Sequence, residues 1–211
     1  MVFDAGTGAG RCNLFDMSGR LVSYAYREWE YLKDLSSSNK EAMLFDAEQF
    51  KKILFSLCRK VITQAGISAD EIVAVSATSQ REGMVWLDRF GKEIYAAPSV
   101  DLRGEEAADL LSGKEPFIKE ITGLPVSGMF GLARLLWYKK FNEAVYDRID
   151  TVMMISDWIC YLLCGSKVSE PSVASSSQLF DVKNGKWSSE LLKSVGLRTC
   201  LLYTSPSPRD L

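Results

Sequence analysis

The 211-residue sequence predicts an α/β fold, a mixed sheet that opens with a β-hairpin and carries helices on both faces. Three stretches support this. Asn13-Leu14-Phe15-Asp16 and Arg20-Leu21-Val22-Ser23-Tyr24 flank Met17-Ser18-Gly19, the pattern of a hairpin. Phe50, Ile53, Leu54, Leu57, Cys58, Val61, Ile62 and Ala65 recur at helical spacing, a single-face stripe. Ile72-Val73-Ala74-Val75-Ser76-Ala77-Thr78 is a short apolar, β-branched run, the pattern of a strand covered on both faces. Hairpin, helix and covered strand together imply a layered α/β sheet.

Taken in order, the chain opens on Asp4-Ala5-Gly6-Thr7-Gly8-Ala9-Gly10-Arg11. Glycine lets a ligand approach the main chain closely, and successive N–H groups in such a turn can converge on an anion. No Lys-Ser or Lys-Thr pair follows these glycines and no helix pattern opens from them, so neither a P-loop nor a Rossmann fingerprint is met. The stretch reads as a strand–turn–strand that clasps phosphate, or as an ordinary glycine-rich turn. Only Met1-Val2-Phe3 precede Asp4, so the first strand looks clipped against a usual ~5–6 residues. Residues 34–40 read as a polar loop. Asp46 with Gln49 resembles a capping box, and Gly66 suits the position after the helix.

The covered strand leads to Ser79-Gln80-Arg81-Glu82-Gly83, and ligands of open α/β sheets bind beyond strand carboxyl ends. Adjacent Arg81 and Glu82 can hold neighbouring hydroxyls, which both donate and accept; the plain alternative is a weak surface ion pair. Met84–Leu87 and Glu93–Ala96 form a second predicted hairpin. Asp101 either accepts from a substrate hydroxyl or sits as a carboxylate near the start of the helix through Glu105, Ala107, Ala108, Leu110 and Leu111. Leu132, Leu135, Leu136 and Tyr138 mark a helix, Val145, Tyr146 and Ile149 another, and Thr151–Ile155 a short strand. A helix 158–164 is expected to be capped by Ser156 or Asp157 and stopped by Gly165. Residues 169–177 read as a Ser-rich loop, and Ser188 caps a last helix ending at Gly196.

Composition narrows the function. The formal net charge is −2 with no basic block, which argues against nucleic acid or a membrane surface as partner. No apolar run approaches the ~18 residues of a membrane span, and no leader opens the sequence. The five cysteines form no C-x-x-C pair, which suits a reducing cytoplasm. Cys160 and Cys164 share one face of an apolar helix, where core packing is expected. The absence of histidine excludes Ser-His triads and His-ligated zinc, leaving carboxylates, lysine, tyrosine or cysteine for acid–base work.

Asp4-x-Gly6-Thr7 with Arg11, Gln80-Arg81-Glu82-Gly83, Ile121-Thr122-Gly123-Leu124-Pro125-Val126-Ser127, Leu135-Leu136-Trp137 and Met154-Ile155-Ser156-Asp157-Trp158 resemble the N-terminal half of the FGGY carbohydrate kinases. Several motifs in order are more specific than any one. The likeness spans about residues 2–197 and is nearest to the autoinducer-2 kinase and xylulokinase-like branch. It implies the actin-like, ribonuclease-H-like ATPase fold and ATP with Mg²⁺ as cofactors. It places Gly6, Thr7 and Arg11 on the transferring phosphate, Asp4 on Mg²⁺ through water, and Arg81, Glu82 and Asp101 on a sugar or polyol. Ser99 and Met129 stand where glycerol or xylulose kinases often carry aromatics, which argues against those two substrates.

The resemblance further implies that the adenine site and the catalytic base, an aspartate, lie in a C-terminal domain beyond this chain. Residues 1–198 are thus expected to form the sugar-binding domain, unable to turn over alone, of a cytoplasmic kinase that allows a homodimer at full length. Residues 199–211, patternless with two Ser-Pro steps, are expected to be a non-native tail. The competing reading is a non-catalytic actin-like sugar-binding or interaction module.

Overall fold

The computed structural model describes residues 1–35 and 37–202. Strands β1 (Val2–Ala5), β2 (Ala9–Phe15) and β3 (Leu21–Glu28) run as two successive antiparallel hairpins. The second turn is closed by Asp16, whose carboxylate accepts from the Ser18 N–H at 2.9 Å and the Arg20 N–H at 3.0 Å. A small pair, β4 (Leu32–Lys33) and β5 (Met43–Leu44), leads into α1 (Ala47–Ala65). Asp46 caps α1 by accepting from the Gln49 N–H at 3.0 Å, one half of the capping box read from the sequence, and Gly66 ends the helix with φ 66°, as expected. The apolar stripe of α1 packs on Phe3, Cys12, Leu14 and Ala25, which share one sheet face because strand side chains alternate. Burying a large apolar side chain such as Phe3 or Leu14 contributes roughly 1.5–3 kcal/mol, and the single methyl of Ala25 less.

Strand β6 (Ser76–Ser79) lies parallel to β1 and completes a mixed sheet of order β3-β2-β1-β6. The covered strand expected over 72–78 is corrected here. Val73 is 79% exposed and Val75 43%, since the ladder starts where Val2 meets Ser76. The doubly covered strand is instead β7 (Met84–Leu87), which pairs with β8 (Glu93–Ala97). Its four residues are all buried. Met84 and Trp86 face one core, Val85 and Leu87 the other.

Helices α2 (Glu105–Ala108), α3 (Glu115–Thr122), α4 (Gly131–Phe141) and α5 (Glu143–Tyr146) follow, and Ala107, Ile118, Leu132, Leu135, Leu136 and Tyr146 enter the core behind Trp86. Strand β9 (Thr151–Met154) then pairs with β7, and α6 (Ile155–Cys164) packs on β6. Met154, not Ser156 or Asp157, is the N-cap of α6. Asp157 is committed elsewhere, accepting from Ser169 Oγ at 3.0 Å and the Glu170 N–H at 3.2 Å. Cys160 is half-buried and Cys164 exposed, so the core role read for both cysteines does not hold for the second, which lies at the helix end.

The expected loop 169–177 contains α7 (Pro171–Ala174) and a 3₁₀ turn at Ser175–Ser177. Glu170 caps α7 by accepting from the Ser172 and Val173 N–H groups. The small pair β10 (Phe180–Asp181) and β11 (Lys186–Trp187) precedes α8 (Ser189–Ser194), capped by Ser188 as expected. Thr199–Leu201 forms a further 3₁₀ turn whose Leu201 is fully buried. Packing therefore does not end at the expected 198/199 boundary; the rest of the expected tail, 203–211, lies outside the described residues.

Candidate functional site

Parallel pairing of β1 with β6 places Ala5 opposite Ser79, so both strands leave the sheet at the same edge. The first continues into the Gly6-Thr7-Gly8 turn, the second into the strap Gln80-Arg81-Glu82-Gly83. Two segments about seventy residues apart in sequence thereby become neighbours, at the kind of strand end where α/β sheets bind ligands.

The turn is braced from one side. Its base is closed by the Gly6 N–H donating to the Ala9 carbonyl at 2.9 Å. Trp29 donates from Nε1 to the Thr7 carbonyl at 3.3 Å and from its backbone N–H to the Gly8 carbonyl at 3.1 Å. Gly10 makes room for that ring: a Cβ there would lie 2.5 Å from Trp29. Thr7 and Gly8 themselves are exposed. Asp4 and Arg11 face each other across the β1–β2 register, Nη1 to Oδ2 at 3.2 Å, their side chains 34% and 51% exposed. Arg11 also lies over the Tyr26 ring at 5.5 Å. An exposed pair of this kind contributes only ~0.2–1 kcal/mol, so an incoming anion can compete for Arg11 at little cost.

The strap is held more firmly. Gln80 accepts at Oε1 from the Ser99 N–H and Oγ, both at 2.9 Å. Its Nε2 donates to Tyr31 OH at 2.8 Å and to the Gly6 carbonyl at 3.4 Å. One amide thus ties the turn to the strap. Arg81 is exposed and Glu82 half-buried, with Glu82 at φ 58°. Burial pushes the Glu82 carboxyl above the ordinary range, against the pull of Arg81 and Arg134. Beside it, Gly83 allows α6 to approach, since a Cβ would meet Ile155 at 2.5 Å.

Asp101 does not join this surface. It is fully buried; its carboxylate accepts from Tyr95 OH at 2.5 Å, Arg103 Nε at 2.8 Å and the Met43 N–H at 3.0 Å. The expected hydroxyl contact is corrected to an internal ion pair. The sequence reading assigned no role to Gln80 or Arg134. Gln80 stood inside a quoted motif, and Arg134 is a lone charge in an apolar helical run, a signal that such a charge has a buried partner.

Among the described residues, no cluster of three or more His, Cys, Asp or Glu could hold a metal ion. Mg²⁺ keeps several waters and takes one or two carboxylates with substrate phosphates. The single Asp4 carboxylate, partly exposed beside the Gly6-Thr7-Gly8 turn, fits that demand.

Known proteins resemble this chain in sequence and in fold. The description "FGGY family of carbohydrate kinases, N-terminal domain" matches residues 1–205. The autoinducer-2 kinase of Salmonella paratyphi B is 34% identical over 208 residues, 96% of this chain and 38% of the relative. That of Yersinia enterocolitica is 33% identical over 209 residues, 96% of this chain and 39% of its own. The chain thus spans about two fifths of the length of these relatives. A xylulose kinase from Rhodospirillum rubrum superposes with TM-score 0.84 at 20% identity, covering 96% of this chain and 42% of the other. Plasmodium falciparum glycerol kinase with ADP superposes with TM-score 0.82 at 21% identity, covering 95% and 42%. The fold is therefore that of these kinases, and by sequence the chain belongs to the FGGY family of carbohydrate kinases, matching its N-terminal domain.

Proposed function

We propose that this chain is the sugar-binding half of an ATP-dependent kinase that transfers the γ-phosphate to a hydroxyl of a sugar or polyol. The observation that carries the reading is the shared sheet edge, where the Gly6–Gly8 turn and the Arg81–Glu82 strap meet through Gln80. Gly6, Thr7 and Arg11 meet the transferring phosphate, and Asp4 holds Mg²⁺ through water. The metal, when bound, neutralises phosphate charge. Arg81 donates to one substrate hydroxyl and the Glu82 carboxylate accepts from its neighbour, which fixes the sugar against the turn. Positioning of this kind supplies much of the rate in phosphoryl transfer. The base that deprotonates the attacking hydroxyl comes from a part of the protein that this chain does not span.

The reading favours a substrate like that of the autoinducer-2 kinases over glycerol, since the relatives at 33–34% identity carry that name. The test is calorimetric titration of the 211-residue chain with autoinducer-2, xylulose, gluconate and glycerol. Weak binding that disappears in Glu82→Gln and Arg81→Met is expected, with no ATP-dependent phosphorylation. Binding that survives both substitutions refutes the assignment of the pair. Turnover by the chain alone refutes the need for a second half.

A further inference from the structure

Glu82 is one of two non-glycine residues at positive φ among the described residues, at 58°. A side chain in that region is strained and persists only where its surroundings over-determine it. The surroundings here are specific. Arg134, on α4 and fully buried, donates from Nη1 to the Glu82 carbonyl at 2.8 Å and from Nη2 to the Ser99 carbonyl at 3.2 Å. Its Nε lies 4.0 Å from Asp101 Oδ2, which balances the charge. Gln80 already binds Ser99 from the other end of the strap. Gln80, Ser99, Arg134 and Glu82 thus close a circuit around the strap.

We infer that Arg134 is a positioning residue that holds Glu82 in its left-handed conformation and so sets where Arg81 and Glu82 point. The inference rests on the reading of those two as the hydroxyl-binding pair. A planar guanidinium spans two carbonyls on separate segments with donors in fixed directions, whereas an ammonium is a point charge. Lysine at 134 therefore keeps the charge and loses the bridge. Methionine loses both.

The experiment is nuclear magnetic resonance on the 211-residue chain, wild type and the variants Arg134→Lys and Arg134→Met. In the wild type, the Arg134 Nη protons are expected as separate, slowly exchanging signals; averaged, rapidly exchanging signals overturn the inference without any variant. In R134M, the Glu82 HN–Hα coupling and Cα shift should leave their left-handed values. Its carboxyl should titrate higher still, because one of the two cations acting on it is gone. In R134K the carboxyl should titrate close to wild type while the backbone signature is lost. A left-handed Glu82 retained in both variants refutes the role. Should both variants fail to fold, the wild-type guanidinium signals decide. Xylulose or autoinducer-2 added to the wild type tests the underlying reading separately. Unmoved Arg81 and Glu82 signals defeat hydroxyl binding and leave the clamp standing, whereas sugar-dependent shifts with averaged Arg134 signals defeat the clamp alone.

Discussion

Replacing Asp101 by alanine separates an internal ion pair from a substrate contact. Asp101 and Arg103 are both fully buried, Nε to Oδ2 at 2.8 Å. Arg103 also donates from Nη1 to Asp34 at 2.9 Å and Tyr138 OH at 2.7 Å. Its guanidinium lies 5.1–5.2 Å from the Tyr95, Trp137 and Tyr138 rings. Arg134 draws on the same carboxylate at 4.0 Å. Removing Asp101 leaves Arg103 short of its closest counter-charge, Arg134 without this one, and the Tyr95 hydroxyl without its acceptor. Breaking one partner out of a buried pair costs about 3–5 kcal/mol, a large share of the ~5–15 kcal/mol that holds a domain together.

With a urea slope of about 2 kcal/mol/M, D101A should move the unfolding midpoint down by roughly 2 M. The double variant D101A/R103M should lose less than the sum of the single losses, by about 0.5–3 kcal/mol, because the two groups are coupled. A midpoint within about 0.5 M of wild type refutes the argument and returns Asp101 to the substrate face.

Other outcomes follow from the same geometry. Gln80→Glu removes the donor to Tyr31 and Gly6 and should cost about 1–3 kcal/mol; amide shifts at Gly6 and Ser99 unchanged from wild type would count against the link. Gly128→Ala should cost about 1–3 kcal/mol or more, because a Cβ there lies 2.1 Å from the Glu105 backbone N. Gly8→Ala meets nothing within 4 Å and should stay within about 0.5 kcal/mol, both read by thermal melts. Acid titration should erode stability in a definite window. Asp16 is held below its ordinary value near 3.8 by hydrogen bonds from the Ser18 side chain and the Arg20 backbone, and Asp88 by the Lys92 and Phe90 N–H groups. A lowered folded-state pKa stabilises above the unfolded value and is lost as pH falls through the folded one. Stability should therefore drop below about pH 4, and D16N/D88N should flatten that drop.

The sequence made legible what depends on neighbours along the chain. Asp46, Gln49 and Gly66 set the ends of α1 through bonds spanning a few residues. The two predicted hairpins stand because their turns supply their own acceptors, Asp16 and Asp88, two to four residues away. Met154 shows the limit: helix α6 starts before both candidate caps, so that the Asp157 carboxylate binds Ser169 and Glu170 and Ser156 lies inside the helix, its N–H donating to Ser79 and its hydroxyl buried without a hydrogen-bond partner. Composition and pattern also misplaced the covered strand, because Ile72–Val75 and Met84–Leu87 are both apolar runs and burial depends on what lies above and below.

By itself, the sequence determined the α/β class, the glycine turn with Asp4 and Arg11, and the Arg81–Glu82 pair, since each is carried by residue types at short spacing. Only the tertiary structure decided that turn and strap share one edge, that Asp101 is internal, and that Gln80 and Arg134 hold the strap in place. The reason is physical. A parallel register and a buried guanidinium join residues 35 to 74 positions apart, and no local pattern encodes which distant carbonyl a buried donor will meet.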